Sequence, residues 1–268
     1  MMLRTKRMYT VTPAVLATTL NAKTVEFPLI QAVLEGSQEG TIIVDDCEEL
    51  TLALVVTKFG FTYAMGRDTE DRMWREAVEL LLRHEALTNR YLLWYDPPAQ
   101  CRPFLDALPD TVARARTRIR FHMYAAHETH ELVSERLPKG AAIHRIDSSL
   151  FTKLTPFKLD LGSRFWRSDL EFLEKGFGFV AELDGEIASI CYTACVANDC
   201  TEIDVATLEK FRGSGLARAV SKAFLKHCLQ EGITPKWDCF DYNLSSRRLA
   251  ASLGFEEVKR YPFYSLHT

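Results

Sequence analysis

A predicted strand, a glycine-rich turn and a predicted helix follow one another between residues 201 and 231. Residues 201–207 (TEIDVAT) alternate β-branched with other side chains, which is typical of a strand with two different faces. Apolar residues then recur at helical spacing over 216–229, and Gly232 is suited to end that helix. The segment therefore predicts a strand that leads through a short turn into a helix.

The turn itself has the properties of an anion-binding site. The first turn of a helix leaves backbone N–H groups without partners and carries a partial positive charge. Gly213 and Gly215 lack a Cβ, so an anion can come close to those amides, and Arg212 adds a planar, charged donor group. These residues predict either a site for a phosphate-rich ligand or an ordinary connection whose glycines serve only the turn.

Two other glycine-loop chemistries do not fit the turn. A nucleotide P-loop needs a Lys followed by Ser or Thr after its last glycine, and here Leu216 and Ala217 follow. A dinucleotide-binding turn needs a third glycine, which is missing, although Asp238 and Asp241 lie further along. The remaining pattern is Arg-x-x-Gly-x-Ala over residues 212–217.

The segments after the helix complete a longer pattern. Residues 233–243 predict the next strand and 244–255 a short helix ended by Gly254. Residues 255–266 predict two closing strands joined near Pro262.

This pattern resembles the GNAT superfamily of acyl-CoA-dependent N-acyltransferases. That superfamily combines the Arg-x-x-Gly-x-Ala turn with an Asn, here Asn243, that opens a helix ending in Leu-Gly-Phe at 253–255. The runs P-x-W-D-C, N-x-x-S-x-x-L-A and Y-x-x-Y look most like the group that contains zwittermicin A resistance proteins. The resemblance covers roughly residues 139–268.

The resemblance implies acetyl-CoA as the acyl donor, held between two splayed strands at about 202–207 and 234–241. The implied contacts are Val205, Ala206 and Thr207 along the pantetheine; Arg212, Gly213, Ser214, Gly215, Leu216 and Ala217 around the pyrophosphate; and Asn243 and Ser246 beside the pantetheine arm or the adenosine.

Acyl transfer from a thioester to an amine needs a base for the amine, and it needs a proton for the departing thiolate. Glu202 and Asp204 share one face of the predicted strand, and some members of the superfamily use a glutamate on this strand as base. Glu202 is our first candidate and Asp204 our second. The alternative for each is a carboxylate at a solvated end of the sheet.

The sequence lacks an acid at the position that is usual in the superfamily. Many superfamily members carry a Tyr seven residues after the Asn, but Ala250 stands there. Tyr261 is our candidate donor, with Tyr264, Tyr242 or water as alternatives.

The N-terminal half predicts the same order of elements as a GNAT core. The predicted strands are 41–45, 52–56, 61–66, 91–95 and 118–124, and the predicted helices are 69–84 and 99–108. Residues 66–74 offer one glycine and three acids, which would repel phosphate. We therefore predict an N-terminal α/β domain at 1–134 that is a degenerate GNAT copy without a CoA site, or else an unrelated α/β cap. The GNAT domain is predicted at 135–268.

The C-terminal half predicts a strand at 141–145, helical pieces across 148–175, and a hairpin of 177–183 with 186–196 through Asp184-Gly185. The segment 161–173 has two interpretations. In the resembled fold it lies over the acceptor pocket, so Phe165, Trp166 and Arg167 are specificity candidates. Alternatively it is an amphipathic helix that buries Trp166, Leu170 and Leu173. The overall fold class is α/β (α+β), with a mixed, mostly antiparallel sheet flanked by helices.

Composition limits the partners. A net charge of −3 without a clustered basic face argues against nucleic acid. No stretch approaches ~18 uninterrupted apolar residues, so no membrane span is predicted. The N-terminal run is a poor signal peptide. The seven scattered cysteines form no C-x-x-C pair, which predicts reduced thiols, no metal site and a cytoplasmic location.

Two functions from different classes fit these predictions. The first is an enzyme that N-acetylates a small amine, such as an antibiotic, a polyamine or an amino-acid derivative; a protein amine is an alternative acceptor. The second is a non-catalytic acyl-CoA-binding sensor or partner module. The sequence does not predict the oligomeric state.

Overall fold

The chain forms two compact units in the computed structural model. The described residues are 9–13, 25–45, 51–66, 71–83, 87, 91–123, 137–157 and 164–267. Unit 1 comprises Met1–Arg118 with Tyr261–Thr268, and unit 2 comprises Ile119–Arg260. The boundary predicted at 134/135 lies outside the described residues. The C-terminal residues 261–268 join unit 1, whereas the sequence had grouped them with 135–268.

Unit 1 contains a sheet with helices. Its elements are β1 (Tyr9–Val11), α1 (Pro28–Leu34), β2 (Gly40–Val44), β3 (Leu52–Thr57), β4 (Phe61–Gly66), α2 (Asp71–Arg83), β5 (Tyr91–Tyr95), α3 (Arg102–Asp106) and the start of β6 (Ala113–Met123). Strands β1 to β4 are antiparallel neighbours, whereas β4 and β5 are parallel.

Unit 2 contains the end of β6 and a second series of elements. These are β7 (Ala141–Arg145), a 3-10 helix (Phe151–Phe157), α4 (Asp169–Lys175), β8 (Gly178–Leu183), β9 (Glu186–Ala197), β10 (Cys200–Thr207), a 3-10 helix (Glu209–Phe211), α5 (Leu216–Glu231), β11 (Thr234–Phe240), α6 (Leu244–Ser252) and β12 (Phe255–His267), which ends in unit 1.

Both units use strands β6 and β12. The strand order is β1-β2-β3-β4-β5-β12-β6 in unit 1 and β12-β6-β11-β10-β9-β8-β7 in unit 2. Each unit has antiparallel strands, a helix, a parallel strand, a helix and a further strand in that order. The predicted fold class, a mixed and mostly antiparallel sheet flanked by helices, is confirmed.

The helix α5 covers one face of the unit 2 sheet. Leu216, Val220 and Phe224 are buried in its core, and Ile203 and Val205 of β10 pack against that core. Helix α5 ends at Gly232 with a φ of 69°, as the sequence predicted. Similarly, Asp184 (φ 49°) and Gly185 (φ 86°) form the turn between β8 and β9.

One predicted strand break was wrong, and one predicted helix is shorter than expected. Strand β12 runs through Pro262 without a break, whereas two strands were predicted. The carbonyl of Pro262 accepts a hydrogen bond from the Asp96 amide at 3.0 Å, and a proline lacks only the N–H, so a strand can pass where no donor is needed. Helix α3 is shorter than the predicted 99–108, because 3-10-type bonds precede it and Pro109 follows its end.

The segment 161–173 also differs from the amphipathic-helix interpretation. Helix α4 begins only at Asp169, because the Ser168 side chain caps it by accepting a hydrogen bond from the Glu171 amide at 3.2 Å. As a result Leu170 is exposed, with 64% of its surface accessible, while Trp166 is buried as predicted.

A buried ion pair joins β6 to β11 within unit 2. Nε of Arg120 lies 3.5 Å from Oδ2 of Asp238, and each side chain is only 5% exposed. Removing one member of such a pair leaves an uncompensated buried charge. The pair therefore fixes one side of β11.

We predict that Arg120→Met lowers the free energy of unfolding by about 3–5 kcal/mol, because Asp238 keeps its buried charge. Replacing both residues, by Arg120→Met with Asp238→Leu, should recover much of the loss. Arg260→Gln is the matched control, since Arg260 pairs with Glu257 at the surface, and it should leave stability unchanged. Urea unfolding curves measure all three; equal effects of Arg120→Met and Arg260→Gln would contradict the role of the buried pair.

Candidate functional site

The parallel strands β10 and β11 separate partway along their length. They pair from Cys200 to Glu202 with Thr234 to Lys236, and the pairing ends there although the strands continue to Thr207 and Phe240. The separation opens a slot between the two strands, which we call the strand slot. The resemblance to the GNAT superfamily predicted two splayed strands at this position.

Along β10, the backbone N–H and C=O groups of successive residues point alternately toward the strand slot and toward β9. The amide of Leu208 donates to the carbonyl of Ala188 at 3.0 Å, so the backbone N–H and C=O groups of the even-numbered residues in this stretch point toward β9. Val205 and Thr207 consequently present their N–H and C=O groups to the strand slot. Ala206 faces β9, and its carbonyl accepts a hydrogen bond from Ser189 Oγ at 3.1 Å. Of the three predicted pantetheine contacts, two therefore offer their backbone to the slot.

The glycine turn at the start of α5 is open. Gly213 and Gly215 have φ of 81° and 82°, a conformation that favours glycine, and no atom lies within 4 Å of the place where a Cβ would stand. Gly215 provides no side-chain cap, and the first turn of α5 contains no acidic residue. The first intrahelical bond runs from Ala219 N to Gly215 O, so the helix leaves the amides of Leu216 and Ala217 available.

Residues 212–215 of this turn are exposed and include one cation, Arg212. Arg212 is exposed, and among the described residues its guanidinium forms no ion pair. Ser214 Oγ donates to the carbonyl of Phe211 at 2.5 Å, so its side chain folds back onto the preceding 3-10 helix. The turn thus combines the available amides of Leu216 and Ala217, the N-terminus of a helix and a cation, and together these groups can bind an anion.

Asn243 and Ser246 have structural contacts at the start of α6. Asn243 Oδ1 caps this helix by accepting hydrogen bonds from the Ser246 amide at 3.1 Å and from Ser245 Oγ at 2.9 Å. Ser246 Oγ accepts a hydrogen bond from Trp237 Nε1 at 3.0 Å and so ties α6 to β11. Their contact with a cofactor stays a prediction. Ala250, at the usual tyrosine position, is fully buried.

The two predicted acids lie on the face of β10 opposite α5, because Ile203 and Val205 point toward the α5 core. Glu202 is the last residue of β10 paired with β11 and is 8% exposed. Oδ2 of Asp204 accepts a hydrogen bond from Tyr192 Oη at 2.8 Å, and Nη1 of Arg164 lies 3.5 Å from the same oxygen. Asp204 is thus held by two neighbours at the edge of the slot.

Tyr192 and Arg164 were not predicted from the sequence. Burial raises the pKa of Tyr192 well above its usual range, and the negative charge of Asp204 raises that pKa further, so the hydroxyl stays protonated and donates. The only signal for Tyr192 was the strand predicted at 186–196, and the only signal for Arg164 was its place in the segment 161–173, which the resemblance puts over the acceptor pocket.

The candidate tyrosines differ in their surroundings. Tyr261 and Tyr264 belong to unit 1 and are buried there. Tyr261 packs edge-on against Phe27, and Tyr264 Oη donates to Asp106 Oδ1 at 2.6 Å. Burial and that hydrogen bond raise the pKa of Tyr264. Tyr242 is 60% exposed and stacks on Phe240 in unit 2. The role of Tyr261 as acid stays a prediction.

The three specificity candidates, Phe165, Trp166 and Arg167, differ in their burial and contacts. Trp166 is buried and its Nε1 donates to the carbonyl of Thr193 at 3.3 Å, which is a structural contact. Phe165 lies beside Tyr192, with ring centroids 6.4 Å apart. Arg167 is exposed and pairs with Glu171.

Within the described part of the chain, no three His, Cys, Asp or Glu side chains group as a metal site requires. No helix within it has the length and apolar character needed to cross a membrane.

Unit 1 has no open counterpart of the glycine turn among its described residues at the end of β4. A Cβ on Gly66 would lie 2.9 Å from Cη2 of Trp74 in α2, so the indole ring occupies the space over this glycine. The predicted acidic stretch 66–74 falls partly on residues 67–70, which lie outside the described residues.

A sequence profile of GNAT acetyltransferases matches residues 19–264, so the chain belongs to this family of acyltransferase enzymes. Over 129 residues the chain is 39% identical to an uncharacterized N-acetyltransferase, YdfB, from Bacillus subtilis strain 168. The match covers 48% of the chain and 49% of YdfB, so the chain spans about half the length of this curated relative.

Solved structures share the whole fold. A GCN5-related N-acetyltransferase-like protein from Streptococcus suis 89/1591 has a TM-score of 0.73 at 23% identity, covering 94% of this chain and 98% of its own. A tandem GNAT protein from the clavulanic acid biosynthesis pathway has a TM-score of 0.62 at 13% identity, covering 97% of each chain. At these identities the likeness shows the fold alone.

We predict that Ser214→Glu weakens acetyl-CoA binding at least about 10-fold, because it adds a negative charge beside the turn amides. Ser214→Ala loses the same hydrogen bond to Phe211 without adding charge, and Ser214→Lys reverses the charge; both should bind acetyl-CoA nearly as the native chain does. Calorimetric titration measures the three affinities. Equal affinity of Ser214→Glu and Ser214→Ala would contradict phosphate binding at this turn.

Proposed function

We propose that the chain is an acetyl-CoA-dependent N-acetyltransferase that acetylates a primary amine of a small molecule in the cytoplasm. We also propose that it groups with the zwittermicin A resistance proteins within the family. The observation that carries the proposal is the uncapped glycine turn of α5 at the open end of the strand slot. A pantetheine chain needs a slot with free backbone groups, and its diphosphate needs amides and positive charge.

The residues of unit 2 then have distinct tasks. Val205 and Thr207 offer backbone groups to the pantetheine arm, and Gly213, Gly215 and Arg212 surround the diphosphate. Glu202 lies where the slot begins, so we assign it as the base that takes a proton from the attacking amine. Tyr261, our candidate for returning a proton to the thiolate, is a residue of unit 1 and not of unit 2, and its role stays a prediction.

A non-catalytic acyl-CoA-binding module is the second candidate function. It is favoured by the buried methyl group of Ala250, which provides no proton at the position where many family members carry the acid. Thiol release from acetyl-CoA in the presence of amines separates the two, because a sensor binds acetyl-CoA without releasing thiol.

We predict that Glu202→Gln lowers kcat/KM for the amine by about 10²–10⁴-fold, because the amine loses its general base. The nearly isosteric change should leave acetyl-CoA affinity intact. The deficit should shrink as the pH rises, since more of the amine is then neutral without help. A thiol-release assay across the pH range gives the profile, and calorimetry gives the affinity.

Asp204→Asn is the comparison variant, since it removes charge from the same face two residues away. A loss in Asp204→Asn with full activity in Glu202→Gln at every pH would reverse the two roles. Full activity in both variants would show that neither carboxylate is the base.

A further inference from the structure

A charged cluster of Arg164, Tyr192 and Asp204, here called the acceptor cluster, lies on the sheet face opposite α5. Both neighbours of Asp204 bind the same atom, Oδ2, at 2.8 Å from Tyr192 and 3.5 Å from Arg164. The other carboxylate oxygen, Oδ1, accepts no hydrogen bond from the part of the chain that is described. The cluster therefore orients a carboxylate and leaves one of its oxygens for a ligand.

The position of the cluster links it to the reaction site. Asp204 is two residues beyond Glu202 on the same face of β10, a spacing of about 7 Å along a strand. The register places Tyr192 of β9 directly opposite Asp204. A group bound to Oδ1 of Asp204 would thus lie beside the start of the strand slot and near the proposed base.

Both charges of the cluster can be reached from solvent. The side chain of Asp204 is 29% exposed and that of Arg164 is 31% exposed, so the pair is not a sealed ion pair. Tyr192 is fully buried beneath them. The Arg164 guanidinium lies 5.1 Å from the ring centroid of Phe165, which is buried and gives the cluster an apolar side.

We propose that the acceptor cluster binds an amino acid, or a derivative with a free carboxylate beside its amine, and that this is the substrate class of the acetyl transfer proposed above, on which this inference rests. The ammonium binds Oδ1 of Asp204, and the carboxylate binds the planar donors of Arg164. The negative charge of Asp204 and the positive charge of Arg164 lie a few ångströms apart, and they match the ammonium and carboxylate that an amino acid carries on neighbouring carbons.

The same arrangement selects against other small amines. A polyamine carries only positive charges, so a second ammonium near Asp204 would meet Arg164 at short range and be repelled. A simple amine without a carboxylate gains no ion pair with Arg164. Selectivity for amino acids therefore depends on Arg164, whereas docking of any amine depends on Asp204.

The test compares kcat/KM in thiol release from acetyl-CoA for α-amino acids, their amides, the corresponding decarboxylated amines, and spermidine. The best amino acid should exceed its decarboxylated amine by about 10- to 100-fold, the effect of one hydrogen-bonded charge pair. Arg164→Gln should bring this ratio close to one, and Arg164→Lys should retain part of it. Arg260→Gln, whose guanidinium pairs with Glu257 at the surface instead, should keep the native ratio.

Calorimetry of the same amino acids against the protein saturated with CoA gives a second readout. Binding that Arg164→Gln abolishes, without turnover of any amine, would support amino-acid binding at the acceptor cluster, but it would contradict the transferase and the assignment of amino acids as its substrates. Two results would overturn this inference while leaving the transferase intact. One is a higher kcat/KM for the decarboxylated amine or spermidine than for the amino acid. The other is a ratio of amino acid to decarboxylated amine that Arg164→Gln leaves unchanged. Neither binding nor turnover of any amine would overturn both.

Discussion

The separation of β10 from β11 is the constraint on which the rest of the site depends. The two strands stop pairing after Glu202 and Lys236, and β11 continues beside β6, to which the buried ion pair of Arg120 and Asp238 joins it. Beyond Glu202, the backbone groups on this side of β10 bond to none of the described strands. Because β10 leads directly into the turn and α5, the slot and the open amides of the glycine turn follow one another along the chain.

The sequence predicted this part well because its signals are local. Alternation, glycines at positive φ and helical spacing are each determined within a few residues, and they located β10, the turn and α5. The resemblance supplied what local signals could not, namely that the strands separate. The continuous passage of β12 through Pro262 was missed, because it depends on a partner strand far away in sequence.

The acceptor cluster shows where such prediction ends. Strands β9 and β10 meet at the turn of Asn198 and Asp199. If their pairing continued from this turn without a shift in register, Tyr192 would stand opposite Val205. A bulge at Ala194 shifts the register by one residue, so Tyr192 instead stands opposite Asp204. Nothing in the sequence marks the bulge. Arg164 lies in the segment 161–173, which the resemblance puts over the acceptor pocket, but nothing in the sequence marks its contact with Asp204 some forty residues later.

Amide hydrogen exchange with and without acetyl-CoA tests the central claim most directly, because the claim concerns specific backbone N–H groups. We expect acetyl-CoA to slow exchange at the amides of Val205, Thr207 and residues 213–217. Exchange over β4 and α2 of unit 1, where Trp74 covers Gly66, should stay unchanged. Protection confined to unit 1, or bound acetyl-CoA with no protection at the glycine turn, would contradict the account.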